Sequence, residues 1–210
     1  ISGADRTLKL ENECDPIDYS SLDADGHIVS PIFHEISNDV FKKIKDDSNF
    51  LLVDPQGFLR QKDSTNNIIL KKTDLDLSDV NAIKINPEEG QNIVSGSHDE
   101  MMLALQKKGI EYVLLTNKSN VSLLVKNRVY SLKLPNKNIH DTTGIGDIFC
   151  SAFTCTMLKE KDFLWALCFA AGSAQAALES NNVGLQKIPK KGMVENNASY
   201  FYNLVDFRDL

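Results

Sequence analysis

Short β-rich runs alternate along this chain with segments whose apolar residues recur at helical spacing. That pattern predicts a parallel sheet flanked by helices, and hence an α/β fold. The predicted strands are Arg6–Leu10, His27–Phe33, Phe50–Asp54, Ala82–Asn86 and Glu111–Thr116. The third and fifth are almost continuous apolar runs, as suits strands buried on both faces. Between them, Asn38–Lys45 sets Val40, Phe41 and Ile44 on one stripe. Ser97-His98-Asp99-Glu100 has the Ser-x-x-Glu form that closes a helix N-terminus, and it opens a helix carrying Met101, Leu103, Ala104 and Leu105.

After Thr116 the period changes. Val121–Val125 and Arg128–Leu134 read as short strands joined through turn-prone residues, Asn117-Lys118-Ser119-Asn120 before the first and Lys126-Asn127 between them, which predicts an antiparallel edge. Two long helices follow, about Ile145–Lys159 and Asp162–Glu179. The second is rich in Ala and aromatics (Phe163, Trp165, Phe169, Ala170, Ala171), so it is expected to be mostly buried. The polar stretch Gln61–Asp76 reads as a loop or an extension on the sheet's edge.

Composition narrows the classes of function. At 210 residues and 42% hydrophobic content, the chain can bury a core as one domain over 1–210. A formal net charge of -6 leaves no basic field for a nucleic-acid partner. No apolar run approaches the roughly 18 to 20 residues of a membrane span, and no basic segment followed by an apolar one opens the chain, so a cytoplasmic protein is expected. Cys14, Cys150, Cys155 and Cys168 show no CxxC spacing, and His27, His34, His98 and His140 stand singly, which argues against zinc. The first residue is Ile1 rather than Met, which raises the expectation of a processed or incomplete chain.

The most informative segment is Asp141-Thr142-Thr143-Gly144-Ile145-Gly146-Asp147, which runs directly into a long apolar helix. Glycines at a helix start let backbone N–H groups approach a ligand, and the helix dipole favours an anion there, phosphate being the natural candidate. Asp147 alone could be a favourable charge on the dipole or a cap. Asn86-Pro87-Glu88-Glu89, read by itself, is a strand-to-helix turn. Asp54, Asn86 and Thr116 close predicted strands, the end of a parallel sheet where ligands gather.

At these residues the chain resembles the ribokinase/PfkB carbohydrate kinases, whose signature is a DTxGAGD segment at a helix start. Here it reads DTTGIGD, with Ile145 in the place usually held by Ala. The resemblance covers about residues 6 to 190. It implies a ribokinase-like three-layer sandwich, mostly parallel with helices on both faces, and ATP as phosphate donor. It also assigns roles. Asp147 becomes the catalytic base, and the N–H groups of Gly144, Ile145 and Gly146 become the anion hole for the transferring phosphoryl group. Asn86 and Glu89, matching an NxxE element, help place Mg²⁺ and the phosphates through water, with Glu88 a decoy. Thr116 leads into a turn beside the nucleotide, although Lys118 stands where glycine is usual. Ala171 and Gly172 lie where the second long helix passes the adenine, and Gly184 with Pro189 closes that pocket. Asp141 and Thr143 fix the loop, and in cation-activated relatives these positions help hold an ion, so K⁺ enters as an optional cofactor.

The implied function is ATP-dependent phosphorylation of a hydroxyl on a sugar or related polyol. Leu52-Val53-Asp54-Pro55-Gln56-Gly57-Phe58-Leu59-Arg60 looks like the inositol and nucleoside kinase branch, which keeps those acceptors open. A catalytically silent nucleotide-binding regulator is a third reading, against which the retained Asp147 counts. An oxidoreductase would need GxGxxG after the first strand, and none is present. The family's first strands, its di-glycine element and its small β-lid have no counterpart before Ile1, so the working protein is expected to be longer, with homodimerisation open.

Overall fold

In a computed structural model the described residues are 8–135 and 141–210. They form two compact units, residues 8–116 with Leu124–Lys126, and Asn117–Leu123 with Asn127–Leu210.

The first unit runs β1 (His27–Val29), α1 (Asn38–Asp47), β2 (Leu51–Val53), α2 (Gln56–Leu59), β3 (Arg60–Lys62), β4 (Ile68–Leu70), β5 (Ala82–Ile85), α3 (Pro87–Ile93), α4 (His98–Lys107) and β6 (Tyr112–Asn117). Strands β1, β2, β5 and β6 lie side by side and parallel, with Ile28 opposite Leu52, Leu52 opposite Ala82 and Ile83 opposite Val113. Leu51, Leu52, Val53, Ala82, Ile83, Ile85, Val113 and Leu114 are fully buried. Each such Val, Leu or Ile side chain contributes about 1.5–3 kcal/mol of transfer free energy, which holds these short strands in register.

Local chemistry sets the helix bounds. Ser37 Oγ accepts from the Val40 N–H at 3.2 Å to open α1, whose Val40, Phe41 and Ile44 are buried as expected. In α4 the Ser97 N–H donates to Glu100 Oε2 at 2.7 Å and the Glu100 N–H to Ser97 Oγ at 3.4 Å, the reciprocal cap read from the sequence. The buried residues of α4 are Met101, Met102 and Leu105; Leu103 and Ala104 are half-buried.

Three expectations change. The strand expected over His27–Phe33 stops at Val29, because Pro31 has no N–H to give a ladder and the Glu35 carboxylate gathers the Ile32 and Phe33 N–H groups into a turn at 2.5 and 2.6 Å. Of the strand expected over Arg6–Leu10, residues 6 and 7 lie outside the described residues and the rest makes a single bridge, Lys9 to Asn67. Within Gln61–Asp76 the structure builds an antiparallel ribbon of β3 and β4, with Gln61 opposite Ile69. Its turn is nucleated by Asp63 Oδ1, which accepts from the Thr65 and Asn67 N–H groups at 2.7 and 2.9 Å.

The remaining elements are β7 (Asn120–Val125), which the division crosses after Leu123, and, all in the second unit, β8 (Arg128–Lys133), α5 (Ile145–Glu160), α6 (Phe163–Leu178), a 3₁₀ turn Gly184–Lys187, α7 (Lys191–Tyr202) and β9 (Asp206–Asp209). Lys126 and Asn127, at φ +48 and +64, form the two-residue turn between β7 and β8, and the Ser122 and Ser131 hydroxyls meet at 3.0 Å across the hairpin. β9 pairs antiparallel with β8, Tyr130 opposite Phe207. The two long helices fall where expected. Asp162 caps α6 by accepting from the Leu164 and Trp165 N–H groups at 2.9 and 3.0 Å, and α6 is buried almost throughout from Ala166 to Leu178. No described helix is long and apolar enough to cross a membrane.

Candidate active site

The DTTGIGD loop folds on itself before the helix begins. Asp141 Oδ1 accepts from the Thr143 N–H at 2.9 Å and from the Thr143 hydroxyl at 2.7 Å. A buried ammonium completes the loop: Lys187 Nζ donates to Asp141 Oδ2 at 2.8 Å, to the Asp141 carbonyl at 2.9 Å and to the Thr143 carbonyl at 3.2 Å. The Lys187 hydrogen bond, followed by those from Thr143, holds the Asp141 carboxyl well below the usual carboxylate range.

Gly144 is the N-cap of α5, at φ +75 and ψ 0. A Cβ there would meet nothing within 4 Å, so the backbone conformation, not the space, calls for glycine. The Ile145 N–H points to the Thr142 carbonyl at 3.3 Å and the Ile148 N–H to the Gly144 carbonyl at 3.0 Å. Helix geometry leaves the Gly146 N–H among the first-turn donors that the helix itself does not use, and the dipole adds positive potential at the same place.

This helix start forms one end of a cavity of about 840 Å³ lying wholly within the second unit. Asp141, Thr143, Gly144 and Asp147 line that end. Ser151 and Cys155 continue the wall along α5, so the cavity follows the helix for about 16 Å at 1.5 Å per residue. Phe169 and Ser173 of α6 face it, and Val183, Leu185 and Ile188, exposed by 68, 85 and 60%, form an apolar lip. Ser173 is 4% exposed, and no described residue hydrogen-bonds its hydroxyl. An anion-favouring end joined to a long apolar trough suits a ligand with phosphates at one end and a flat apolar body at the other.

Of the residues singled out from the sequence, the cavity gathers Asp141, Thr143, Gly144, Asp147, Gly184 and Pro189. Ala171 is fully buried. Gly172 serves packing: a Cβ there would lie 2.9 Å from the Ala198 nitrogen and 2.9 Å from the Val194 carbonyl oxygen of α7. Sequence reasoning missed Phe169 and Lys187 as cavity residues; no local pattern marks Lys187 in Gly184-Leu185-Gln186-Lys187. Lys118 takes φ +55, so a lysine adopts the left-handed conformation that glycine would hold at lower cost.

In the first unit the strand ends carry a buried ionic cluster. Lys84 Nζ donates to Asp54 Oδ2 at 2.8 Å and lies 3.8 Å from Glu89 Oε2, with all three side chains under a tenth exposed. Asn86 and Glu89 form a reciprocal cap on α3: the Glu89 N–H donates to Asn86 Oδ1 and the Asn86 N–H to Glu89 Oε2, both at 2.8 Å. Gln56 Nε2 donates to Glu89 Oε1 at 3.3 Å. Burial pushes the Glu89 carboxyl up; Lys84 opposes this and Asp54 adds to it. Glu88, by contrast, is exposed. The Thr116 hydroxyl donates to the Ile85 carbonyl at 3.4 Å. Both oxygens of Glu89 already accept from protein donors, so direct ligation of a divalent metal does not fit this turn, and contact through water is what remains to it. Among the described residues no three His, Cys, Asp or Glu side chains converge as a metal site.

The family model described as pfkB family carbohydrate kinase matches residues 11–191. A search among curated proteins gives no significant match. Among solved structures, a pyrophosphate-dependent myo-inositol-1 kinase converted by mutation into a myo-inositol-3 kinase aligns at a TM-score of 0.77 and 20% identity, covering 93% of this chain and 71% of that one. A pyrophosphate-dependent kinase in the ribokinase family, complexed with a pyrophosphate analog and myo-inositol, gives 0.76, 20%, 91% and 70%. The Arabidopsis thaliana ribokinase complexed with ribose and ATP gives 0.63, 19%, 81% and 55%. At these identities the likeness is one of fold, the ribokinase-like α/β fold.

Proposed function

Because the chain belongs to the pfkB family of carbohydrate kinases, whose model covers residues 11–191, we propose that it transfers the γ-phosphoryl group of ATP to a hydroxyl of a sugar or related polyol. The observation that carries this reading is the cavity of the second unit, which places Asp147 and the glycine-started helix at one end of a long apolar trough. In the proposed step the acceptor hydroxyl gives its proton to the Asp147 carboxylate as its oxygen bonds to the γ-phosphorus. The bond from that phosphorus to the β,γ-bridging oxygen breaks, and ADP leaves with the electron pair. The N–H groups of Gly144, Ile145 and Gly146 would stabilise the charge on the transferring group; Ile145 must first release the Thr142 carbonyl. A divalent cation on the donor would neutralise phosphate charge. The compartment proposed is the cytoplasm, where ATP is available.

The similarity to pyrophosphate-dependent kinases favours a second reading, with pyrophosphate as donor and an inositol as acceptor. The length and apolar lip of the cavity speak for a nucleoside, which pyrophosphate lacks. The test is product formation with ATP or pyrophosphate across sugars, myo-inositol and nucleosides, using the complete protein. Turnover with ATP at least about tenfold above that with pyrophosphate is expected. Turnover with pyrophosphate alone would overturn the choice of donor. ATP binding without phosphorylation of any acceptor would leave the regulator.

A further inference from the structure

We propose that Lys187 is a built-in monovalent cation, its ammonium filling the oxygen nest of the Asp141–Thr143 loop so that the loop is held without K⁺ from solution. An ammonium has three N–H donors, and here each has its own acceptor: Asp141 Oδ2 at 2.8 Å, the Asp141 carbonyl at 2.9 Å and the Thr143 carbonyl at 3.2 Å. Nothing is left over for a phosphate, which explains how a lysine can line an anion-favouring cavity without serving as its anion ligand. The side chain is 3% exposed. A buried charge of that kind is tolerated only when paired and hydrogen-bonded, and the Asp141 carboxylate supplies the counter-charge.

A second cation does not fit the same nest. It would need the oxygens that Lys187 already holds, and it would sit within a few ångströms of an ammonium of the same sign. Lys187 also ends the 3₁₀ turn Gly184–Lys187, so its bonds tie the cavity's apolar lip to the loop that starts α5. It is therefore a positioning residue, acting through Asp141 and Thr143 on the placement of Gly144 and Asp147. Removing the side chain leaves three oxygens around the space its ammonium held.

The activity arm of the test rests on the kinase reading; the stability arm does not. Wild type, Lys187→Ala and Lys187→Met are compared in choline, Li⁺, K⁺ and NH₄⁺ chlorides at constant ionic strength, by thermal unfolding and by turnover with ATP. Wild type is expected to change less than about twofold between choline and K⁺. Lys187→Ala is expected to lose at least about tenfold in choline, to recover saturably with K⁺ or NH₄⁺ but not Li⁺, and to show a parallel rise in Tm. Lys187→Met, whose stem fills the space, is expected to lose activity without recovery. A tenfold or larger rise of wild-type turnover with K⁺ overturns the proposal, and so does a Lys187→Ala variant whose Tm and turnover both ignore K⁺ and NH₄⁺. If no acceptor is phosphorylated by any form, the kinase reading fails, and the Tm response alone decides the role of Lys187.

Discussion

Replacing Lys84 with methionine would remove the only ammonium of the Asp54–Lys84–Glu89 cluster while keeping an apolar stem of similar length in β5. Two unit charges about 4 Å apart attract by about 4 kcal/mol at an effective dielectric of about 20. Lys84 has two such partners, at 2.8 and 3.8 Å. Part of that attraction only offsets the desolvation of three buried ions, so the loss follows the range for breaking a buried pair, about 3–5 kcal/mol. The lower end applies, because Glu89 retains its bonds from Asn86 and Gln56 and can take up a proton. The pH dependence has a definite sign. The Glu89 carboxyl is already raised above its ordinary value by burial and by Asp54, and Lys84 is the group that opposes this. Without Lys84 its folded-state pKa rises further. A carboxyl whose folded pKa lies above its unfolded value stabilises the fold fully below the unfolded value, and that contribution is lost as pH rises through the folded one, so the deficit of Lys84→Met should be smaller near about pH 5 than near about pH 8. Urea unfolding followed by circular dichroism at both pH values measures it. A deficit under about 1 kcal/mol near pH 8, or one that grows toward pH 5, would refute the reasoning.

Asp147→Asn should leave ATP binding intact and lower turnover at least about 10²-fold, because only the proton acceptor is lost; near-normal turnover in a phosphorylation assay removes Asp147 from that role. Gly172→Leu should cost at least about 2 kcal/mol in chemical denaturation, since the new Cβ meets backbone atoms of α7 at 2.9 Å and backbone cannot step aside as a side-chain tip can. A neutral result would mean that α6 and α7 are not packed through this residue. Lys118→Gly relieves a left-handed conformation costing about 1–2 kcal/mol and adds about 0.5–1 kcal/mol of unfolded-state entropy, for a net gain of about 0.5 kcal/mol and a Tm higher by about 1–2 °C. A lower Tm contradicts it.

What the sequence made legible was whatever depends on neighbours in the chain. The cap at Ser97, the apolar strands around Leu52 and Leu114, the long helix from about Asp162 and the glycine-started helix after Asp141 all rest on residues within a few positions of one another. The helix α7 escaped notice because its buried stripe is only Val194, Ala198 and Phe201 among polar residues, and β9 because all four of its residues are exposed and no alternation marks it. The site divides along the same line. Gly144 and Asp147 stand within one short segment, where a resemblance can mark them, but Lys187 reaches Asp141 across 46 positions and Lys84 reaches Asp54 across 30. A lysine carries no local sign of whether its ammonium lies in water or in a nest of oxygens. Small residues are ambiguous in a similar way: Gly172 permits the approach of a ligand or of a helix, and only the direction of its missing Cβ, toward Val194 and Ala198, decides for the helix. Pairing between distant charges must be satisfied wherever an ion is buried, so the place to seek such partners in a sequence is a lone lysine inside an apolar strand. Lys84 between Ile83 and Ile85 fits that rule, whereas Lys187, in a polar turn, does not.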